Sequence, residues 1–270
     1  MVLGNWYNFK LKYVSSLEDI DESGKHYHKY KGVQFYYKKN NDSDRLIVTF
    51  HGAMYGDPSS PTGMVLLPIF RGFDWKYNVL CMSDKLLDDF SNKKLELGWF
   101  LSPRGSNYNQ IYTEIMTHVI KSHDNVIFHG SSAGGFPSLY YACVFSQKAL
   151  VLNGQLYVDR YGLFNHFTTI TGMNLAHDFE ENDLEAIISK HGPPLHAHIC
   201  CNQKDAHHIN RQFIPFKQFI ESDEREKLKE KFTFTAFSNA EDPPPGKTHH
   251  VVFLPTGVSM NTMFDELFNK

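Results

Sequence analysis

HGSSAGG, residues 129–135, follows the apolar run NVIF (125–128) and precedes the helix-like stretch FPSLYYACVF (136–145). Gly130-Ser131-Ser132-Ala133-Gly134 fits G-x-S-x-G with Ser132 at its centre. In a nucleophile elbow the serine is held at a strained backbone conformation between a strand and a helix, so the residues two positions away on either side must lack bulk. The short motif arises by chance in chains rich in glycine and serine, and an N-capping serine in a glycine-rich turn would look the same. Its context is more specific, because a strand directly before and a helix directly after is what the chemistry demands.

The same alternation extends in both directions from this turn. Apolar runs recur at RLIVTF (45–50), YNVLCM (77–82), ALVLN (149–153), HAHICC (196–201) and FTFTAF (232–237). Helical patterns lie between or after them at 111–123, 136–145, 209–223 and 260–269, and Pro215 should kink the third or delay its start. Near-continuous apolar strands alternating with helices predict an α/β fold, a mostly parallel central sheet with helices on both faces. Residues 31–38 read as an earlier strand, antiparallel and at the sheet edge. The segment 156–192 lacks a clear strand and reads as a cap-like insertion in one domain spanning residues 1–270.

A serine used for acyl transfer needs a base and an oriented carboxylate, here in the chain order serine, acid, histidine. Asp205 follows the fifth apolar run in CCNQKDAHH, at a strand end where an open α/β sheet places its binding crevice. The loop SNAEDPPPGKTHH after the sixth run delivers His249 and His250 to the same edge. Spacing does not separate the two histidines; His249, directly after the Gly246-Lys247-Thr248 turn, is the favoured base. An oxyanion hole needs two convergent backbone N–H groups. Ala133 would supply one, and Ala53 or Met54, after His51-Gly52 at the end of RLIVTF, the other. Asn153 and Gln155 leave the fourth run at the same edge, where they could hydrogen-bond a polar substrate, as could His51 and His208, or merely close the strand.

Bulk properties set outer limits. The chain has 270 residues, a formal charge of −3 with acids and bases mixed along its length, and 14% aromatic residues. This charge balance gives no nucleic-acid surface, and no stretch reaches transmembrane length. The N-terminal MVLGNWYNFKLKY lacks the apolar core of a secretion signal, and the four cysteines are not spaced as a disulfide framework or zinc module, so a reduced, cytoplasmic location is expected. His196, His198 and Cys200 share a strand face but stand too far apart for a compact tetrahedral site, so no metal is expected. Gly246-Lys247-Thr248 lacks the rest of a phosphate loop, and no nucleotide-binding glycine motif occurs.

The combination of FHGA, HGSSAGG, CCNQKDAHH and GKTHH resembles the α/β-hydrolase superfamily from about residue 31 onward. More narrowly, GSSAGGF (130–136) and ICCNQKDAHHINRQFIPF (199–216) resemble a bacterial group acting in surface-polysaccharide synthesis, which includes the O-acetyltransferase of the meningococcal serogroup A capsule. That group has a G-S-S-x-G-G elbow and an aspartate followed three residues later by histidine, matching Asp205 and His208. LELGWFLSPRG (95–105) is similar to a segment of related α/β proteins from glycan clusters. The superfamily's histidine usually sits in a G-G-H or G-x-G-H turn, where this chain has G-K-T-H-H. The resemblance implies acetyl transfer from acetyl-CoA to a sugar hydroxyl of a capsular or similar glycan, on an enzyme that could sit beside a membrane-associated assembly. An esterase, with water as acceptor, would use the same residues, and a catalytically silent binding protein on the same fold is the third reading.

Overall fold

The structure, a computed structural model, describes residues 10–54, 76–93, 95–222, 225–238, 254 and 257–270. Its strands are β1 (Lys10–Tyr13), β2 (Ser23–Tyr30), β3 (Val33–Lys38), β4 (Arg45–Phe50), β5 (Asn78–Met82), β6 (Ser102–Pro103), β7 (Asn125–Ser131), β8 (Lys148–Leu152), β9 (Phe179–Glu180), β10 (His196–Asn202) and β11 (Phe232–Phe237). Nine of them form one sheet in the order β1-β2-β3-β5-β4-β7-β8-β10-β11. From β5 through β11 every pairing is parallel.

All six apolar runs become strands of this sheet; the inner ones bury both of their faces, whereas β11, at the edge, is only half-buried. β5 and β8 are buried throughout, and β4 at every residue but Arg45. The two-residue repeat of a strand divides these residues between two layers. Ile47, Ile127, Leu150, Leu152 and Cys200 face one layer, closed by the helix Met260–Phe268 through Met263, Phe264 and Leu267. Val48, Phe50, Phe128 and Val151 face the other, with the helices Tyr108–Ile120 and Gly135–Val144. There the Phe50 ring stacks on Tyr141 with centroids 5.5 Å apart.

One expectation needs correction. β3 is antiparallel, but it is not at the edge: it pairs antiparallel with β5 on one side and with β2 on the other. Beyond it β1 runs parallel to β2 and forms the edge. Pro215 acts through the backbone before it. Residues Ile209–Phe213 form a widened π turn, and the α-helix Ile214–Glu221 starts afresh with the proline in its first turn, where a missing N–H costs least.

The segment 156–192 carries the helices Phe164–Thr171 and Leu184–His191, and its β9 pairs antiparallel with β6. Leu184–His191 packs against Gly135–Val144, so this last part is a crossover helix leading into β10. No helix among the described residues is long and apolar enough to cross a membrane.

Candidate active site

Strand register brings the functional segments together. Phe50 pairs with Met82 and with Gly130, Ser131 with Leu152, and Leu152 with Cys200. The parallel strands β5, β4, β7, β8 and β10 therefore end side by side. The residues that follow them, Asp84, Gly52, Ser132, Asn153 with Gln155, and Asp205, emerge at one edge. The chain leaves β4 toward β5 on one side and later enters β7 on the other. Ser132 thus stands at the switch point where such sheets form a crevice.

Ser132 has φ +55, in the left-handed region a non-glycine residue seldom adopts. It begins a 3-10 turn, Ser132–Gly134, that runs straight into the helix Gly135–Val144. The turn is as tight as the motif requires: a Cβ on Gly130 would lie 2.0 Å from the Gly134 carbonyl oxygen. Ser138 donates its hydroxyl to that same oxygen at 2.6 Å and caps the turn.

The loop after β4 passes against this elbow. A Cβ on Gly52 would stand 3.3 Å from Ser132 Cβ and 3.8 Å from its Oγ, so Gly52 lies beside the hydroxyl. Met54 N–H, one of the expected oxyanion donors, is instead given to Glu96 O at 2.7 Å. His51, expected as a substrate contact, is 4% exposed and committed internally. Its Nε2 accepts the Asp84 N–H at 3.1 Å and its Nδ1 donates to Gly52 O at 2.8 Å. Burial lowers its pKa to about 4, so the ring is neutral and its two nitrogens tie the loop to Asp84.

Asp84 was not singled out in the sequence. It is buried, and its carboxylate accepts N–H bonds from Leu86 (3.0 Å), Phe100 (2.9 Å) and Gly98. Burial pushes its carboxyl up to about 7 against the pull of these amides. Because the folded value lies above the unfolded one of 3.8, the stability tied to this proton is full below pH 3.8 and lost as pH rises through about 7. Asp84→Asn would turn an amide N–H₂ toward N–H donors and should cost about 2–3 kcal/mol. That deficit relative to wild type should shrink between pH 5 and pH 8 in urea unfolding; a deficit that grows with pH would reverse the sign.

On the acid side, Asp205 is 3% exposed. It caps the short helix Ala206–His208, its Oδ1 accepting His208 N–H at 3.2 Å, and its Oδ2 lies 3.0 Å from His208 Nδ1. Asn153, in the left-handed region with φ +44, donates toward Asp205 Oδ2 at 3.5 Å and accepts the Asn202 N–H at 2.8 Å. Both ends of its amide thus meet the loop that carries Asp205. His208 is 1% exposed and belongs to the same cluster. His249 and His250 lie outside the described residues. His196 and His198, weighed as metal ligands, pair with Thr233 at 3.0 Å and Thr235 at 2.9 Å across to β11.

Gln155 is fully buried and bridges two side chains. Its Nε2 donates to Ser132 Oγ at 3.0 Å and its Oε1 accepts from Trp99 Nε1 at 2.6 Å. Trp99 carried only an unassigned resemblance in the sequence; a long-range contact gives it a place in the site.

A mostly parallel sheet with an antiparallel flank, helices on both faces and a serine elbow after its central strand define an α/β-hydrolase fold. No protein-family model matches the chain, and a search of curated proteins finds no match. Among solved structures it is similar to the fluorophosphonate-binding serine hydrolase F (FphF) of Staphylococcus aureus, at 14% identity over 76% of this chain and 83% of that one, TM-score 0.47. Carboxyl esterase 2 of the mycorrhizal fungus Tuber melanosporum matches at 15% identity over 76% and 71%, TM-score 0.41. Acetyl xylan esterase 1 of Thermoanaerobacterium matches at 14% identity over 79% and 74%, TM-score 0.40.

Proposed function

We propose that this protein is a serine-dependent acyl-transfer enzyme in which Ser132 is the nucleophile. The observation that carries this reading is the strained Ser132, held at φ +55 at the end of β7 with Gly52 beside its hydroxyl. The serine attacks an ester or thioester carbonyl, and His249 or His250 takes its proton. The new oxyanion receives the N–H groups of Ala53 and Ala133. Asp205 emerges two strands from Ser132, about 10 Å at ordinary strand spacing, which leaves room for an imidazole between them. Its carboxylate would orient that ring and stabilise it once protonated.

The histidine gives that proton to the leaving alcohol or thiol as its bond to the acyl carbon breaks, and the acyl-enzyme then passes its acyl group to an acceptor. On the resemblance carried by GSSAGGF and the Asp205–His208 loop, the acceptor is a sugar hydroxyl of a capsular or other surface glycan and the donor is acetyl-CoA. With water as acceptor the same intermediate makes the protein an esterase. Supplying the enzyme with acetyl-CoA, with and without de-O-acetylated glycans, separates the two. Transfer predicts that a glycan diverts most of the acetyl group from free acetate into a sugar ester. Acetate release unaltered by every glycan would leave the esterase.

A further inference from the structure

We propose that Gln155 is a catalytic hydrogen-bond donor to Ser132 Oγ, and that the turn Gly98–Phe100 exists to lock Gln155 in its donating orientation through the Trp99 indole. This rests on the reading of Ser132 as the nucleophile. The two ends of a glutamine amide have nearly the same shape, so its orientation must be read from its neighbours. Here the chemistry leaves one choice. An indole N–H only donates, so the atom 2.6 Å from Trp99 Nε1 is the amide oxygen, and the N–H₂ faces Ser132 Oγ at 3.0 Å. A second link, Gln155 N–H to Ser132 O at 2.8 Å, ties the two backbones together.

The turn that presents the indole is strained. Trp99 and Phe100 are consecutive bulky residues at φ +53 and φ +57, a conformation that persists only where the surroundings impose it. Asp84 imposes it, accepting the N–H groups of Gly98 and Phe100, while Leu101 N–H closes the turn on Gly98 O at 3.0 Å. Phe167 packs edge-on against the indole with centroids 5.3 Å apart. Asp84 also gives its own N–H to His51, which holds Gly52, so one buried residue braces both the loop beside the nucleophile and the Trp99–Gln155 pair.

The chemical consequence follows from Oγ having two lone pairs and one proton. With one lone pair taken by Gln155, the hydroxyl proton is directed to a different acceptor, the base. The donor also stabilises negative charge on Oγ. During attack the C–Oγ bond forms with an Oγ pair as the proton passes to histidine. The imidazolium gives that proton to the leaving alcohol or thiol as its bond to the acyl carbon breaks. In acyl-enzyme breakdown the acceptor hydroxyl bonds to the acyl carbon and passes its proton to the histidine. The histidine gives it to Oγ as the C–Oγ bond breaks and its pair returns to Oγ. Negative charge develops on Oγ both as the C–Oγ bond forms and as it breaks, so Gln155 acts on both halves of the reaction.

The test compares wild type with Gln155→Ala, Gln155→Glu and Trp99→Phe. It follows the burst and steady state of p-nitrophenyl acetate hydrolysis, the rate of fluorophosphonate labelling, and thermal melting. Gln155→Ala should lower kcat roughly ten- to a hundredfold with KM little changed, the loss expected for one hydrogen bond to developing charge. Its fluorophosphonate labelling rate should fall as well, because labelling also proceeds by attack of Oγ. Gln155→Glu should be slower still near neutral pH, because a carboxylate would capture the Ser132 proton. Trp99→Phe should fall in between. If wild type is labelled on Ser132 while folded Gln155→Ala turns over within twofold of it, this proposal fails and the nucleophile stands. If Gln155→Ala does not fold, Trp99→Phe decides, and wild-type turnover there overturns the proposal. A Gln155→Glu enzyme as fast as wild type overturns it too. Wild type unlabelled at Ser132 would remove the nucleophile reading and this proposal together.

Discussion

Ser132→Ala should lower ester turnover by about 10⁴- to 10⁶-fold, the range seen when a serine nucleophile is removed and the rest of its site survives. The loss is chemical, because a methyl group cannot form an acyl-enzyme. The fold should persist. Alanine at φ +55 meets nearly the same backbone strain as serine, and the hydrogen bond from Gln155 is worth about 1 kcal/mol of stability. Turnover and melting temperature measured on the same preparation check this. Turnover within tenfold of wild type would remove Ser132 from the mechanism.

Gly130→Ala should be the most damaging single methyl group in the elbow. Its Cβ would lie 2.0 Å from the Gly134 carbonyl oxygen and 2.4 Å from Ser138 Oγ, and neither can move aside. The first is backbone of the turn itself, and the second is bonded to that same oxygen at 2.6 Å. Gly130 also pairs with Phe50 in the centre of the sheet, so the strand cannot shift as a unit. Relief requires opening the turn, which should cost more than about 3 kcal/mol, beyond ordinary overpacking, and abolish activity. Urea unfolding measures it against Gly162→Ala, where an added Cβ meets nothing within 4 Å and the change should stay within about 0.5 kcal/mol. Equal stability of the two variants would mean that the elbow is not tight.

These effects concentrate where the sequence was most readable. A run such as Arg45–Phe50 is apolar because both sheet faces must be covered, and that requirement is visible locally. β1 and β2 were not legible because they are polar and half exposed: Ser23–Tyr30 reads SGKHYHKY, with most of its burial in the second half. Missing them misplaced β3 at the edge. Ser132 and Asp205 could be singled out because the glycines around Ser132 form an elbow pattern and Asp205 follows it in the serine, acid, histidine order that acyl transfer requires. Gln155 was noticed only as a polar residue past a strand, since what it donates to depends on Trp99, 56 residues earlier. Met54 could not be separated from Ala53, because the carbonyl that claims its N–H belongs to Glu96. Asp84 left no signal, because an aspartate after a strand is ordinarily solvated and only the 98–100 turn, folded over it, makes it a buried acceptor.

The central claim, that Ser132 is an activated nucleophile, is tested most directly by treating wild type and Ser132→Ala with a fluorophosphonate and mapping the adduct by peptide mass spectrometry. One adduct is expected in wild type, on the peptide bearing Ser132, and none in the variant. An adduct on another residue, or equal labelling of both proteins, would contradict it.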